Sequence, residues 1–490
     1  MKEKTAQGRL VVGPFNRVEG DLEVMLDIAD DRVGSARVRS TMYRGFEQIL
    51  PGRPATDALV IVPRICGICS VSQSVAAARA LEDIAGISAP PNGRRVVNLM
   101  LAAENMADHL AHFYLFFMPD FAHSVYRDRP WHGLALERFA ALAGSHARLA
   151  LAARQRWFNL LGILGGKWPH TQAILPGGSS RVVERSERIR LLGRVREFRN
   201  FLEQITFGSP LEEVAALDSE AALFSWRTRG QGGDFRLFLE IADDLGLHAL
   251  GPGPGLYMSN GAYLQPDGSH HFESGVWDAA QHSVLSLNRE LITEDASHAF
   301  LASDGDALHP ARGITLPDPD KEGAYTWNKA PRLGGRILET GALARQLVAG
   351  HPLLRDIASS SGGNVRSRVV ARLMELALVV PAMENWLKTL DDDGAYVNAL
   401  TMPDEGEGAG FVEAARGSLG HWMKIHRGQI THYQIVAPTS WNFSPRDSNG
   451  QPGPLEAALV GASVLPGETS PISVQHIVRS FDPCMVCTVH

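Results

Sequence analysis

The chain has 490 residues, 44% of them hydrophobic and 21% charged, a globular balance that excludes a disordered or fibrous chain and can supply a large core. Its formal net charge of −7 provides no basic field for nucleic acid or anionic lipid. The 4 cysteines are too few for a disulfide-stapled secreted scaffold. Cys66, Cys69, Cys484 and Cys487 instead form two C-x-x-C pairs at opposite ends of the chain.

In chain order, the start MKEKTAQGRLVVG lacks the apolar run of a signal peptide, which gives the expectation of a cytoplasmic protein. Residues 9–40 alternate apolar and polar and predict a small antiparallel sheet within an N-terminal β region, 9–60. A helical core over 61–204 opens on the first cysteine pair. Ser70 or Ser72 is placed to cap an Ala-rich helix running to about Leu81. Leu99, Ala103, Met106, Leu110, Tyr114 and Phe117 recur at three- and four-residue spacing and predict a long helix over 94–118. Further helices are predicted over 131–164 and 183–206.

The stretch 205–335 mixes short alternating runs with turns, as an irregular α+β insertion would. Loops 251–255 and 359–364 are the expected flexible joints. Residues 336–490 return to the helical core, with a helix over 366–380 that kinks at Pro381, and end on the second pair. The apolar runs 110–118 and 373–383 are too short or too interrupted to span a bilayer. The fold class is therefore mainly α with peripheral β (α+β), built on a long-helix bundle. If both cysteine pairs serve one centre, residues 1–490 form a single wrapped unit.

Four thiolates select zinc, iron–sulfur clusters, or a nickel or iron centre. Zinc ribbons separate their pairs by about 15–20 residues, far fewer than here. A thioredoxin-like dithiol needs a βαβ unit, for which the second pair has no room. Gly67 is expected to let the first loop turn tightly.

The flanks of the pairs, RICGIC at 64–69 and DPCMVC at 482–487 with terminal His490, resemble the signatures of nickel–iron hydrogenase large subunits. RVEG at 17–20, YRGFEQIL-x-GR at 43–53, DH-x-x-HFY at 108–114, ARG-x-LGHW at 415–422 and Y-Q-x-x-x-PTSWN at 433–442 are similar to that family in the same order. The resemblance implies a Ni–Fe(CN)2(CO) centre that splits H2 heterolytically. Cys66 and Cys484 would bind nickel alone, and Cys69 and Cys487 would bridge nickel and iron. Cys484 would take the proton and Glu19 would relay it. Arg416 would stand over the open metal position, oriented by Asp108 and Asp482, with Ala415 before it where many members have proline. Thr439 would bond a cyanide, and Glu47 and His490 would hold a magnesium-type ion.

Gln73 stands where the common pattern has histidine, and Ile68 and Phe116 stand where most members carry smaller Val and Leu. The bulkier pair would narrow a gas channel, and the set resembles the H2-sensing, regulatory subclass. With every cysteine committed, the iron–sulfur clusters must belong to a small-subunit partner. The resemblance further implies a dimer of heterodimers and, for a sensor, output to a histidine kinase. The competing expectations are an energy-conserving uptake hydrogenase and a non-catalytic relative with a structural zinc site.

Overall fold

The computed structural model describes residues 8–488 and 490. The early alternation becomes β1 (Gly8–Val12), β2 (Leu22–Ala29) and β3 (Arg32–Ser40), an antiparallel sheet in that order. Leu22, Val24 and Leu26 are buried on one face of β2, as a two-residue period requires. A single turn, α1 (Phe46–Ile49), carries Glu47. Helix α2 (Ser70–Ala85) starts immediately after Cys69. The periodic run around Leu99 forms α3 (Pro91–Ala111), which passes into a π-helical turn, His112–Phe117.

The helix expected over 131–164 is three helices: α4 (His132–Phe139), α5 (Ser145–Trp157) and α6 (Asn159–Gly165). Leu142 takes a left-handed conformation (φ 64°) in the first link, which no right-handed helix can contain. Helix α7 (Arg185–Phe201) follows. The middle of the chain is knit into the core. Its hairpin, β4 (Leu256–Leu264) with β5 (His270–Asp278), also pairs in parallel with the short strand Glu339–Thr340. The two expected joints are bonded to each other: Gly253 N–H donates to Gly363 O (2.8 Å), and Gly363 N–H to the Tyr257 hydroxyl (3.1 Å).

Helix α8 (Ala342–Ala349) precedes the longest helix, α9 (Val365–Lys388), which continues through Pro381 and is buried along most of its length. Asn364 and Ser367 close a reciprocal capping box at its start. The last sheet is antiparallel: β6 (Gly406–Ala414), β7 (Gly417–His426) and β8 (Gln429–Val436), followed by the turn α10 (Pro438–Asn442). Strand β6 lies directly on α2, and a Cβ on Gly410 would fall 1.9 Å from Ala76 O. Only glycine permits that approach. One hydrophobic cluster extends from Val12 to Cys487 and contains all four cysteines. Among the described residues, no helix is long and apolar enough to cross a membrane.

Candidate metal centre

The segments around Glu19 and Cys484 meet. RVEG pairs with the second cysteine segment: Glu19 bridges Cys484 in parallel, and Met485 N–H donates to Glu19 O (2.7 Å). Gly20 (φ 80°) is required here, because a Cβ would lie 2.9 Å from Val486 N. A Cβ on Gly67 would instead meet nothing within 4 Å, so the expected steric need for glycine in the first loop is not borne out.

The four sulfurs lie within 4.8 Å of one another. The nearest pairs are Cys484–Cys487 (3.0 Å), Cys69–Cys487 (3.2 Å) and Cys66–Cys484 (3.4 Å). All are free thiols, and the most accessible, Cys69, is only 7% exposed. Burial raises the Cys66 thiol, but bonds from Cys484, Cys487 and Cys69 outweigh it and bring it well below its ordinary value. Cys69 and Cys484 are driven up. Four thiolates therefore cannot coexist here without cations, and the donor set fits a soft metal centre.

Arg416 is 4% exposed beside this cluster. It donates from Nη1 to Asp108 (2.9 Å), from Nη2 to Asp482 Oδ1 (3.1 Å) and from Nε to Asp482 O (3.0 Å). Burial disfavours its charge, but Asp482 and Asp108 outweigh that and raise its pKa well above normal. Burial lifts Asp108 to about 7 against the pull of Arg416. Asp482 Oδ2 is buried without a partner among the described residues. Thr439 Oγ1 accepts from Cys484 N–H (3.2 Å), which leaves its own proton available. Glu19 is half-buried, and burial followed by Cys66 raises its pKa.

The capping expectation for α2 fails informatively: neither Ser70 nor Ser72 caps it. Glu104, one turn before Asp108 on α3, accepts from Val71 N–H (2.9 Å), Ser72 N–H (3.0 Å) and Trp168 Nε1–H (3.0 Å). Burial lifts Glu104 to about 8. Sequence reasoning missed it, although its four-residue spacing from Asp108 was a usable signal. Gln73 lies in a buried chain, accepting at Oε1 from His421 Nε2–H (2.9 Å), while His421 Nδ1 meets the Tyr433 hydroxyl (2.8 Å). Burial holds His421 neutral, with a pKa of about 3. Ile68 packs against the main core. Phe116 is half-buried in the π-helical turn, its carbonyl accepting from Arg17 (3.0 Å).

Glu47 and His490 converge at a second cluster. His490 Nε2 is 3.4 Å from Glu47 Oε1 and 2.5 Å from Ile435 O, and its Nδ1 is 2.5 Å from Cys487 O. Lys329 reaches Glu294 (2.8 Å), Gln434 Oε1 (2.7 Å) and Glu47 (3.6 Å). Burial disfavours the Glu47 carboxylate, but Lys329 and His490 outweigh it and hold it at about 2. Gln434 lies in the Y-Q-x-x-x-PTSWN motif without a role given to it there, and Lys329, Glu294 and the Ile435 carbonyl were not singled out from the sequence.

Residues 44–128 and 137–490 match the family model for nickel-dependent hydrogenases. The periplasmic [NiFeSe] hydrogenase large subunit of Desulfomicrobium baculatum is 30% identical, with 98% of this chain and 95% of that protein covered. The hydrogenase-2 large chain of Escherichia coli (strain K12) is 28% identical, with 98% and 97% covered. The solved Ni-Fe-Se hydrogenase from D. vulgaris Hildenborough superimposes with a TM-score of 0.85 at 29% identity, covering 99% of this chain and all of that one. The chain belongs to the nickel-dependent hydrogenase family. Within it, this is a large subunit, an oxidoreductase component that acts on H2 and pairs with a small subunit.

Proposed function

We propose that this large subunit splits H2 at a nickel–iron centre held by Cys66, Cys69, Cys484 and Cys487, and that the reaction serves H2 sensing. The observation that carries the chemistry is a closed four-thiol cluster beside a guanidinium fixed by two carboxylates. Cys66 and Cys484 would hold the nickel, and Cys69 and Cys487 would hold it together with an iron of the carbon monoxide- and cyanide-carrying kind. When bound, the centre supplies the Lewis acidity that makes H2 acidic enough to part heterolytically.

The chain's own groups do the rest. Arg416, held at three points, cannot rotate, and its raised pKa suits a fixed positive charge that polarises H2. Cys484 takes the proton at Sγ. Glu19, paired through its backbone to the Cys484 segment, receives it and passes it outward. Thr439, whose hydroxyl proton is free, would donate it to a cyanide. Glu47 and the Ile435 carbonyl are hard oxygen donors of the kind Mg2+ takes, and they would hold it with His490 beside them. The sequence has cysteine at all four thiol positions, so the centre would carry no selenium ligand.

Sensing is supported by Gln73, Ile68 and Phe116. Gln73 accepts from a neutral His421, and a histidine at 73 could do so only through an unprotonated ring nitrogen. The sensor reading implies a cytoplasmic dimer of heterodimers with an iron–sulfur small subunit, signalling to a histidine kinase. The second reading, an energy-conserving uptake enzyme, draws support from relatives such as the quinone-reactive Ni/Fe-hydrogenase of Wolinella succinogenes, 27% identical. Metal analysis and infrared spectroscopy of the purified heterodimer test the centre. Nickel, iron, and carbon monoxide and cyanide bands are expected, and zinc without nickel would overturn both hydrogenase readings. Slow H2 oxidation that persists in air is expected of the sensor; fast turnover lost promptly to O2 would assign the uptake role.

A further inference from the structure

Arg416 occupies an exacting position on a two-residue turn. Ala414 pairs with Gly417 across the hairpin of β6 and β7, so Ala415 and Arg416 are the two residues of its turn. The turn is buried, but Ala415 places no ring restraint on φ. The turn is nevertheless held. Arg345, on α8, is 1% exposed and uses all five of its N–H groups. Nη1 donates to Ala414 O (2.8 Å) and Glu413 (2.9 Å), and Nη2 to Ala415 O (3.1 Å) and Glu375 (2.9 Å). Nε donates to the other oxygen of Glu375 (2.7 Å).

Glu375, on α9, also meets His109 Nε2 (2.6 Å), and His109 adjoins Asp108, the carboxylate that holds Arg416 Nη1. The backbone leading into Arg416 and its guanidinium are thus both referenced to one buried carboxylate. We infer that Arg345, backed by Glu375, is the positioning residue that sets Arg416 over the metal cluster. The inference rests on the reading of Arg416 as the group that polarises H2. It predicts that Arg345 acts through Arg416, whereas a merely structural ion-pair network would act on folding and metal retention.

The test is a double-mutant cycle in the purified heterodimer, reading H2–D2 exchange per bound nickel together with nickel content and KM for H2. R345K is expected to keep its nickel and its KM and to lose about 10- to 100-fold in exchange, the scale of an ångström-sized misplacement. In R416K, where the fixed guanidinium is already gone, adding R345K should cost nothing more. E375Q, which keeps the shape and removes the charge, is read in the same cycle in case R345K does not assemble. Parental exchange in the variant, or losses that multiply in the double variant, would overturn the inference. Full exchange in R416K alone would instead overturn the reading of Arg416 on which it rests.

Discussion

The two clusters at the chain's C-terminal end share a tail and differ in how their charge is balanced. The thiol cluster gathers four soft donors from two distant segments of the chain, with the Arg416 guanidinium beside it already committed to Asp108 and Asp482. Little neutralises four thiolates except a metal. The Glu47–His490 cluster mixes carboxylate, imidazole and carbonyl donors, and Lys329 lies within 3.6 Å of Glu47. It carries its own counter-charge. The first site therefore depends on metal for its charge balance, while the second can lose a cation and keep its fold. Cys487 O accepts from His490 Nδ1, so the second cluster pins the segment on which the first depends.

The strongest way to break this comparison is at Cys484. C484S should abolish H2 cleavage and release nickel, measured by H2–D2 exchange and elemental analysis; a nickel-loaded, active variant would show that the cluster does not need its fourth thiolate. E19Q should come next, lowering proton exchange about 10²- to 10⁴-fold with nickel and iron retained. Undiminished exchange would remove Glu19 from the relay. At the second cluster, a chelator should strip the divalent ion and leave nickel in place. K329M should cost about 3–5 kcal/mol of stability by leaving Glu294 buried without its cation. Thermal inactivation of the holo heterodimer measures this, and an unchanged rate would refute the counter-charge argument.

What the sequence revealed divides along the same line. The thiol site was legible because its donors are side chains in paired motifs, and of the residues fixing Arg416, Asp108 sat in DH-x-x-HFY and Asp482 opened the second cysteine motif itself. The second cluster was half legible: Glu47 and His490 are side-chain donors, but the Ile435 carbonyl is a backbone group that any residue would offer. Arg345 and Glu375 were invisible for a different reason. A buried Arg–Glu pair in helices reads like ordinary surface charge until burial is known. Of the fold, the first sheet and the helix around Leu99 followed from periodicity. The helix predicted over 131–164 did not survive, because a left-handed residue such as Leu142 leaves no mark in an apolar pattern.

The smallest expected effect concerns the gas path, and it separates two accounts of the same residues. Ile68 sits between the two cysteines of the first pair and packs on the core, while Phe116 is half-buried in the π-helical turn that follows α3. Ile68→Val removes one methyl group and should cost only about 0.5–1.5 kcal/mol of stability. Phe116→Leu also removes volume, at a partly exposed position where the surroundings can adjust. Neither change touches a thiol or Arg416, so H2–D2 exchange in the absence of O2 should hold near the parental rate. If the two side chains narrow a channel, the double variant should lose activity in air several times faster, since O2 is larger than H2 and gains more from each opened cavity. If inactivation in air is unchanged, the bulk at 68 and 116 is ordinary repacking. The case for sensing would then rest on Gln73 and its bond to His421 alone.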